Sequence, residues 1–136
     1  MNQTRYAIKQ IFDGTFETAV SSISQALQEQ GFGILTQIDV KATLKKKLDV
    51  DYPNYTILGA CNPPNAYKAL LAEKEIGLLL PCNVIVYEES GKVYIGVQKP
   101  TAALTLSESE EIAKIAKEVE FKLTAALREA TMQKGN

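Results

Sequence analysis

The chain has no histidine and no tryptophan, and only two of its 136 residues are cysteine. Without an imidazole there is no base for papain-like thiol catalysis. A structural zinc site wants four sulfur or nitrogen ligands, and one chain here offers two thiols. No apolar run approaches the roughly 20 residues that span a bilayer. Met1-Asn2-Gln3-Thr4-Arg5-Tyr6 lacks the apolar region of a secretory signal. Surplus charge is missing too: 15 basic against 16 acidic side chains leave a net charge of −1, so nothing attracts a phosphate backbone. These absences predict a cytoplasmic protein with neither membrane nor nucleic acid as partner. In a reducing cytosol the two cysteines read as thiols, not as a standing disulfide. Neither phosphate-loop pattern, G-x-G-x-x-G or G-x-x-x-x-G-K-[ST], occurs.

What is present suits one domain over residues 1–136. A chain of this length that is 46% hydrophobic can bury roughly two-thirds of its unfolded surface, and needs no metal or disulfide to fold. Arg5 to Phe12 reads as a strand, with Tyr6, Ile8 and Phe12 on one face. Thr15 is an N-cap candidate for a helix in which Phe16, Val20, Ile23 and Leu27 recur at helical spacing, ending near Gly31. Gly31 to Ile38 reads as a second strand, with Phe32, Ile34, Thr36 and Ile38 sharing a face. Asp39 caps a short helix through Leu48, with Val40 and Leu44 facing inward and a solvated lysine run outside. Tyr55 to Ala60 is a third strand. Asn62-Pro63-Pro64 then opens a short helix carrying Ala66, Leu70 and Leu71.

Val84 to Tyr87 and Val93 to Val97 form a hairpin around Glu88-Glu89-Ser90-Gly91-Lys92. A long helix capped by Ser107 follows, burying Ile112, Ile115, Ala116, Val119, Leu123 and Leu127, with fraying expected after about Ala130. Two long helices cover one face of a five-stranded sheet. The other face needs the short helices, a ligand or a second subunit, and a two-fold homodimer is the simplest cover.

Both thiols sit in like settings, Ala60-Cys61-Asn62-Pro63 and Pro81-Cys82-Asn83-Val84. Cys61 precedes a helix start, where free amides would stabilise a thiolate. Cys82 lies between apolar segments that would bury it. Each thiol also reads as a small core residue. Asn62 and Asn83 can tie down loop backbone or recognise a polar ligand, and Tyr55 and Tyr67 can line a pocket or simply pack. If the two turns converge, Cys61, Asn62, Cys82 and Asn83, with Tyr55, would hold a small molecule. The two thiols would alternatively hold a soft metal ion such as zinc or copper.

Gly31-Phe32-Gly33-Ile34-Leu35-Thr36, Ile38-Asp39-Val40-Lys41-Ala42-Thr43-Leu44-Lys45, Ile57 to Pro64 and Ile76 to Val84 together closely resemble the prokaryotic family catalogued as domain of unknown function 302. The resemblance spans nearly the whole chain. It implies an α+β two-layer sandwich with a mainly antiparallel sheet, similar to one half of the TATA-box-binding protein. It also implies a shared motif at Cys61, Asn62, Pro63, Cys82 and Asn83, but no activity. DNA binding does not follow from the fold, since function belongs to sites and not to architecture. The expectation is a small homodimeric binding or accessory domain. The rival is a thiol-dependent enzyme or redox sensor acting through Cys61, with Cys82 as resolving thiol.

Overall fold

The computed structural model describes residues 1–132 and shows an α+β sandwich built on one antiparallel sheet. In chain order the elements are β1 (Asn2–Gln3), β2 (Ala7–Phe12), α1 (Phe16–Glu29), β3 (Gly33–Asp39), α2 (Val40–Leu48) and β4 (Tyr55–Cys61). Then come α3 (Pro63–Ala72), a 3-10 helix (Lys74–Leu79), β5 (Cys82–Glu89), β6 (Lys92–Gln98), α4 (Pro100–Ala103), a 3-10 turn (Leu104–Leu106) and α5 (Glu110–Met132). The strands lie in the order β1-β2-β6-β5-β4-β3. The sheet therefore has six strands, not the expected five. The extra one is the exposed two-residue β1, too short for any hydrophobic alternation to announce it.

Local chemistry fixes the helix ends. The Thr15 hydroxyl accepts from the Thr18 amide at 3.1 Å, and Glu17 occupies the first turn of α1, where the helix dipole favours an anion. At the other end Phe32 N donates to the Leu27 carbonyl and Gly31 N to that of Gln28. That paired closure needs a left-handed residue, which Gly31 supplies with φ +87. Asp39 caps α2 as expected, its carboxylate accepting from Ala42 N at 2.9 Å.

The last helix starts later than its sequence suggests. Ser109, not Ser107, accepts from the Ile112 amide, while Ser107 donates to Glu73 and accepts from Ser109 N. The helix is still regular at Met132, and the rest of the expected fraying segment, residues 133–136, lies outside the described residues.

The core lies between one face of the sheet and helices α1 and α5. Strand alternation sends Ile8, Leu58, Val84, Val86, Ile95 and Val97 to this side, where they meet Ile23, Leu27, Ile112, Leu123 and Leu127. Burial of each such side chain is worth about 1.5–3 kcal/mol, and truncating fully buried Leu123 to alanine would cost about 2–5 kcal/mol. One expectation about faces, that for β3, is corrected. In α3 the buried residues are Asn65 and Ala69, whereas Leu71 is 69% exposed. In α2 the residues expected to face inward, Val40 and Leu44, are the half-buried ones, and the rest of the helix is exposed. In β3 a bulge between Ile34 and Thr36 inserts Leu35, so Phe32 and Ile34 pack on the core while Thr36 and Ile38 face away from it. The opposite face of the sheet carries Lys9, Ile11, Thr36, Ile38, Tyr55, Ile57, Ile85, Tyr87 and Tyr94.

Candidate functional site

A cavity of about 310 Å³ opens where β4 runs out and β5 begins, walled by α3, the 3-10 helix and α5. Its position follows from the sequence. Asn62-Pro63-Pro64 cannot extend the ladder beyond Cys61, because proline donates no hydrogen bond, so the chain turns into α3 instead. Ala60 faces Cys82 across the β4–β5 ladder, which puts Cys61 and Cys82 on adjacent strands at this end of the sheet. Both thiols line the cavity, among Leu35, Leu70, Leu80 and Ile115. Gly59 lets the next turn close in, since a Cβ there would collide with the Thr36 hydroxyl and meet the Pro81 ring at 3.0 Å.

One wall is polar. Asn62 caps α3, its side-chain oxygen accepting from the Asn65 amide at 3.4 Å and from the Asn65 side-chain nitrogen at 3.1 Å. Its own nitrogen donates to the carbonyls of Gln30 and Gly31, each at 3.4 Å. Asn65 donates onward to Glu118 of α5 at 3.1 Å. Both asparagines are buried, and the set ties the end of α1, the start of α3 and the middle of α5 together.

The thiols differ in setting. Cys82 is 7% exposed, and burial pushes its thiol from the usual 9.0 to about 11, with neighbouring Cys61 adding to the rise. Cys61 is half-buried. The expected amides at the helix start are not free to meet it: Pro63 and Pro64 have none, and those of Asn65 and Ala66 are taken by the Asn62 side chain and carbonyl. Among the described residues no group of three or more His, Cys, Asp or Glu is placed to hold a metal ion, so a zinc or copper ion here would have only the Cys61 and Cys82 sulfurs from one chain.

The structure gathers Cys61, Asn62 and Cys82 at the cavity but not the other two candidates. Asn83 is exposed, because alternation along β5 turns it away from Cys82, opposite Gly59 on the far side of the sheet. Tyr55 stands on that same far face and lines a separate depression near the β5–β6 turn. Asn65 is the residue that sequence reading missed. Its signal was available in Asn62-Pro63-Pro64-Asn65, which places two side chains able to hydrogen-bond at the cap and third positions of a helix.

The model of the family described as Domain of unknown function DUF302 matches residues 8–130. The chain belongs to this family. The matched span runs from β2 to the last turns of α5, so it takes in five of the six strands and the cavity described above. The DUF302 chain is similar in structure to a crystal structure of an uncharacterized conserved protein DUF302 from Bacillus stearothermophilus. The TM-score is 0.85 at 29% sequence identity, covering 91% of this chain and 97% of that one. No curated protein matches it. Among the described residues no helix is long and apolar enough to cross a membrane.

Proposed function

We propose that this DUF302 chain is a small binding domain whose cavity between β4, α3 and α5 takes a compact apolar molecule. The observation that carries this reading is the wall itself: about 310 Å³ bounded by leucine, alanine, isoleucine and thiol groups, with polar atoms confined to the Asn62–Asn65 side. Ligand pockets have this character, mostly apolar with a few placed polar groups that orient the occupant, and a volume of about 300 Å³ or more. Every residue named in that wall belongs to one chain, so pairing with a second copy across the open sheet face would be a separate property, read by light scattering. Two free thiols suit a reducing cytoplasm.

The test is titration with the fluorescent apolar probe N-phenyl-1-naphthylamine, competed by decanol. Saturable binding is expected in the native chain, with a loss of about tenfold or more in Ala66→Phe, which fills the cavity from α3. An unchanged urea midpoint in that variant separates blocking from unfolding. Absence of saturable binding, or binding indifferent to Ala66→Phe, removes the reading. The thiol reading through Cys61 and the soft-metal reading are checked by Cys61→Ser. A Cys61-dependent zinc or copper content after anaerobic purification would favour a metal over an apolar ligand.

A further inference from the structure

The far face of the sheet carries a row of tyrosines that the cavity does not use. The ladder sets Tyr55 opposite Tyr87 and Tyr87 opposite Tyr94, on three successive strands. Their rings stack, with centroids 5.4 Å apart at 20° and 5.1 Å apart at 17°. Tyr52, just before β4, adds a fourth ring 6.2 Å from Tyr55 but tilted by 56°, so two aromatic walls meet at an angle. One end of the row already holds a cation. Lys9 Nζ lies 5.0 Å from the centre of the Tyr94 ring and 5.7 Å from that of Tyr87, and donates to the Tyr87 hydroxyl at 3.0 Å.

The other end is also walled by rings but has no such side chain among the described residues. A depression of about 480 Å³ lies there, lined by Tyr52, Tyr55, Tyr87, Glu88, Glu89 and the Pro53 and Ser90-Gly91 turns. None of these lining residues is basic. Glu88 is held in place, since Asn54 donates to its carboxylate at 2.7 Å while the Glu88 amide donates to the Asn54 carbonyl at 3.0 Å. The Tyr87 ring is stacked on both sides, which leaves the faces of Tyr52 and Tyr55 to offer negative quadrupoles, and alternation along β5 turns the Glu89 carboxylate to the same side as Tyr87, so the field in the depression favours a cation. Rings rather than hydrogen-bond acceptors dominate its walls. This suits a cation without N–H groups to satisfy, whose methyls can rest on aromatic carbon.

We infer that the depression between Tyr52, Tyr55, Tyr87, Glu88 and Glu89 is a binding site for a trimethylated, quaternary ammonium group. The site is independent of the cavity at Cys61 and stands on the opposite face of the sheet. A free solute and a lipid headgroup both present this group, and the shared chemistry is what the site reads. Glu89 further selects against a carboxylate next to the ammonium, so choline is preferred to glycine betaine.

The experiment is an amide-resolved NMR titration of the full chain with choline, with glycine betaine and with 3,3-dimethylbutan-1-ol, the neutral isostere of choline. Choline is expected to give saturable shifts at Tyr52, Tyr55 and Glu88 to Gly91. The isostere should bind about three- to thirty-fold more weakly, the range that a cation–π contribution spans. Tyr52 is 41% exposed, so its replacement leaves the core intact. Tyr52→Leu should weaken choline over the same range and Tyr52→Phe should not. Sedimentation with phosphatidylcholine vesicles, competed by choline, would identify a lipid source, and no sedimentation with the choline response intact would identify a free solute. Equal response to choline and its neutral isostere, no saturation, or shifts mapping elsewhere would overturn the assignment.

Discussion

The side-chain nitrogen of Asn65 bridges Asn62 and Glu118, lying 3.1 Å from an oxygen of each. A single buried amide thereby links the cap of α3 to α5, and the cavity wall between them inherits its shape from that link. Asn62→Ala removes the cap and leaves the Asn65 amide and two backbone carbonyls without their partner. The expected cost is about 1–3 kcal/mol in urea unfolding. Asn62→Asp, which keeps the accepting oxygen but not the donations to Gln30 and Gly31, should fall between wild type and Asn62→Ala.

Cys82 makes stability depend on pH above neutrality. Its thiol titrates near 11 in the folded chain against 9.0 ordinarily, so between these values the unfolded chain has released a proton that the folded chain retains. The unfolded state is then favoured, and stability should be level below about pH 9 and fall by roughly 2–3 kcal/mol towards pH 11. Urea midpoints at pH 8 and 10.5, compared between wild type and Cys82→Ala, isolate the thiol from the tyrosines and lysines that titrate nearby. A drop of equal size in both proteins would assign it to those other groups.

The two thiols should also separate by alkylation at neutral pH. Half-buried Cys61 is expected to react with iodoacetamide at least about tenfold faster than buried Cys82, which should be modified only on unfolding. Mass spectrometry of time points gives both rates. Comparable rates would mean that the wall over Cys82 opens readily.

Gly59 is a position of close approach in the middle of β4. Gly59→Ala is expected to cost about 1–3 kcal/mol, because the added methyl meets the Thr36 side chain and the Pro81 ring. Thr36→Ala should recover part of that cost in the double variant. The four urea midpoints form a cycle whose coupling measures the clash directly. An additive cycle would show that the neighbouring turn simply moves aside.

Much of the fold was legible because its signals are local. Thr15 and Asp39 cap the helices they were expected to cap, and Ile112, Ile115, Val119, Leu123 and Leu127 are buried at the spacing that announced them. Beyond the two-residue β1 and the overlooked Asn65, the failures share a cause: each depends on contacts remote in sequence. Period-two reading put Phe32, Ile34, Thr36 and Ile38 on one face, and a bulge that only the pairing with β4 reveals divided them. The Cys-Asn turns looked equivalent, yet Asn62 leaves a strand to begin a helix while Asn83 remains within β5 and points the other way. Tyr55, Tyr87 and Tyr94 have no sequence relation at all until the register of three strands aligns them.

The bulge at Leu35 has a further consequence at the border of the sheet. β3 is an edge strand, and an incoming chain that tried to lengthen the ladder there would lose register within two residues of Gly33. At the opposite border β1 offers two residues, and beyond it only the short stretch Gln10 to Phe12 of β2 is left without a partner strand on that side among the described residues. Strand addition is therefore hindered at β3 by the bulge and at β1 by its shortness.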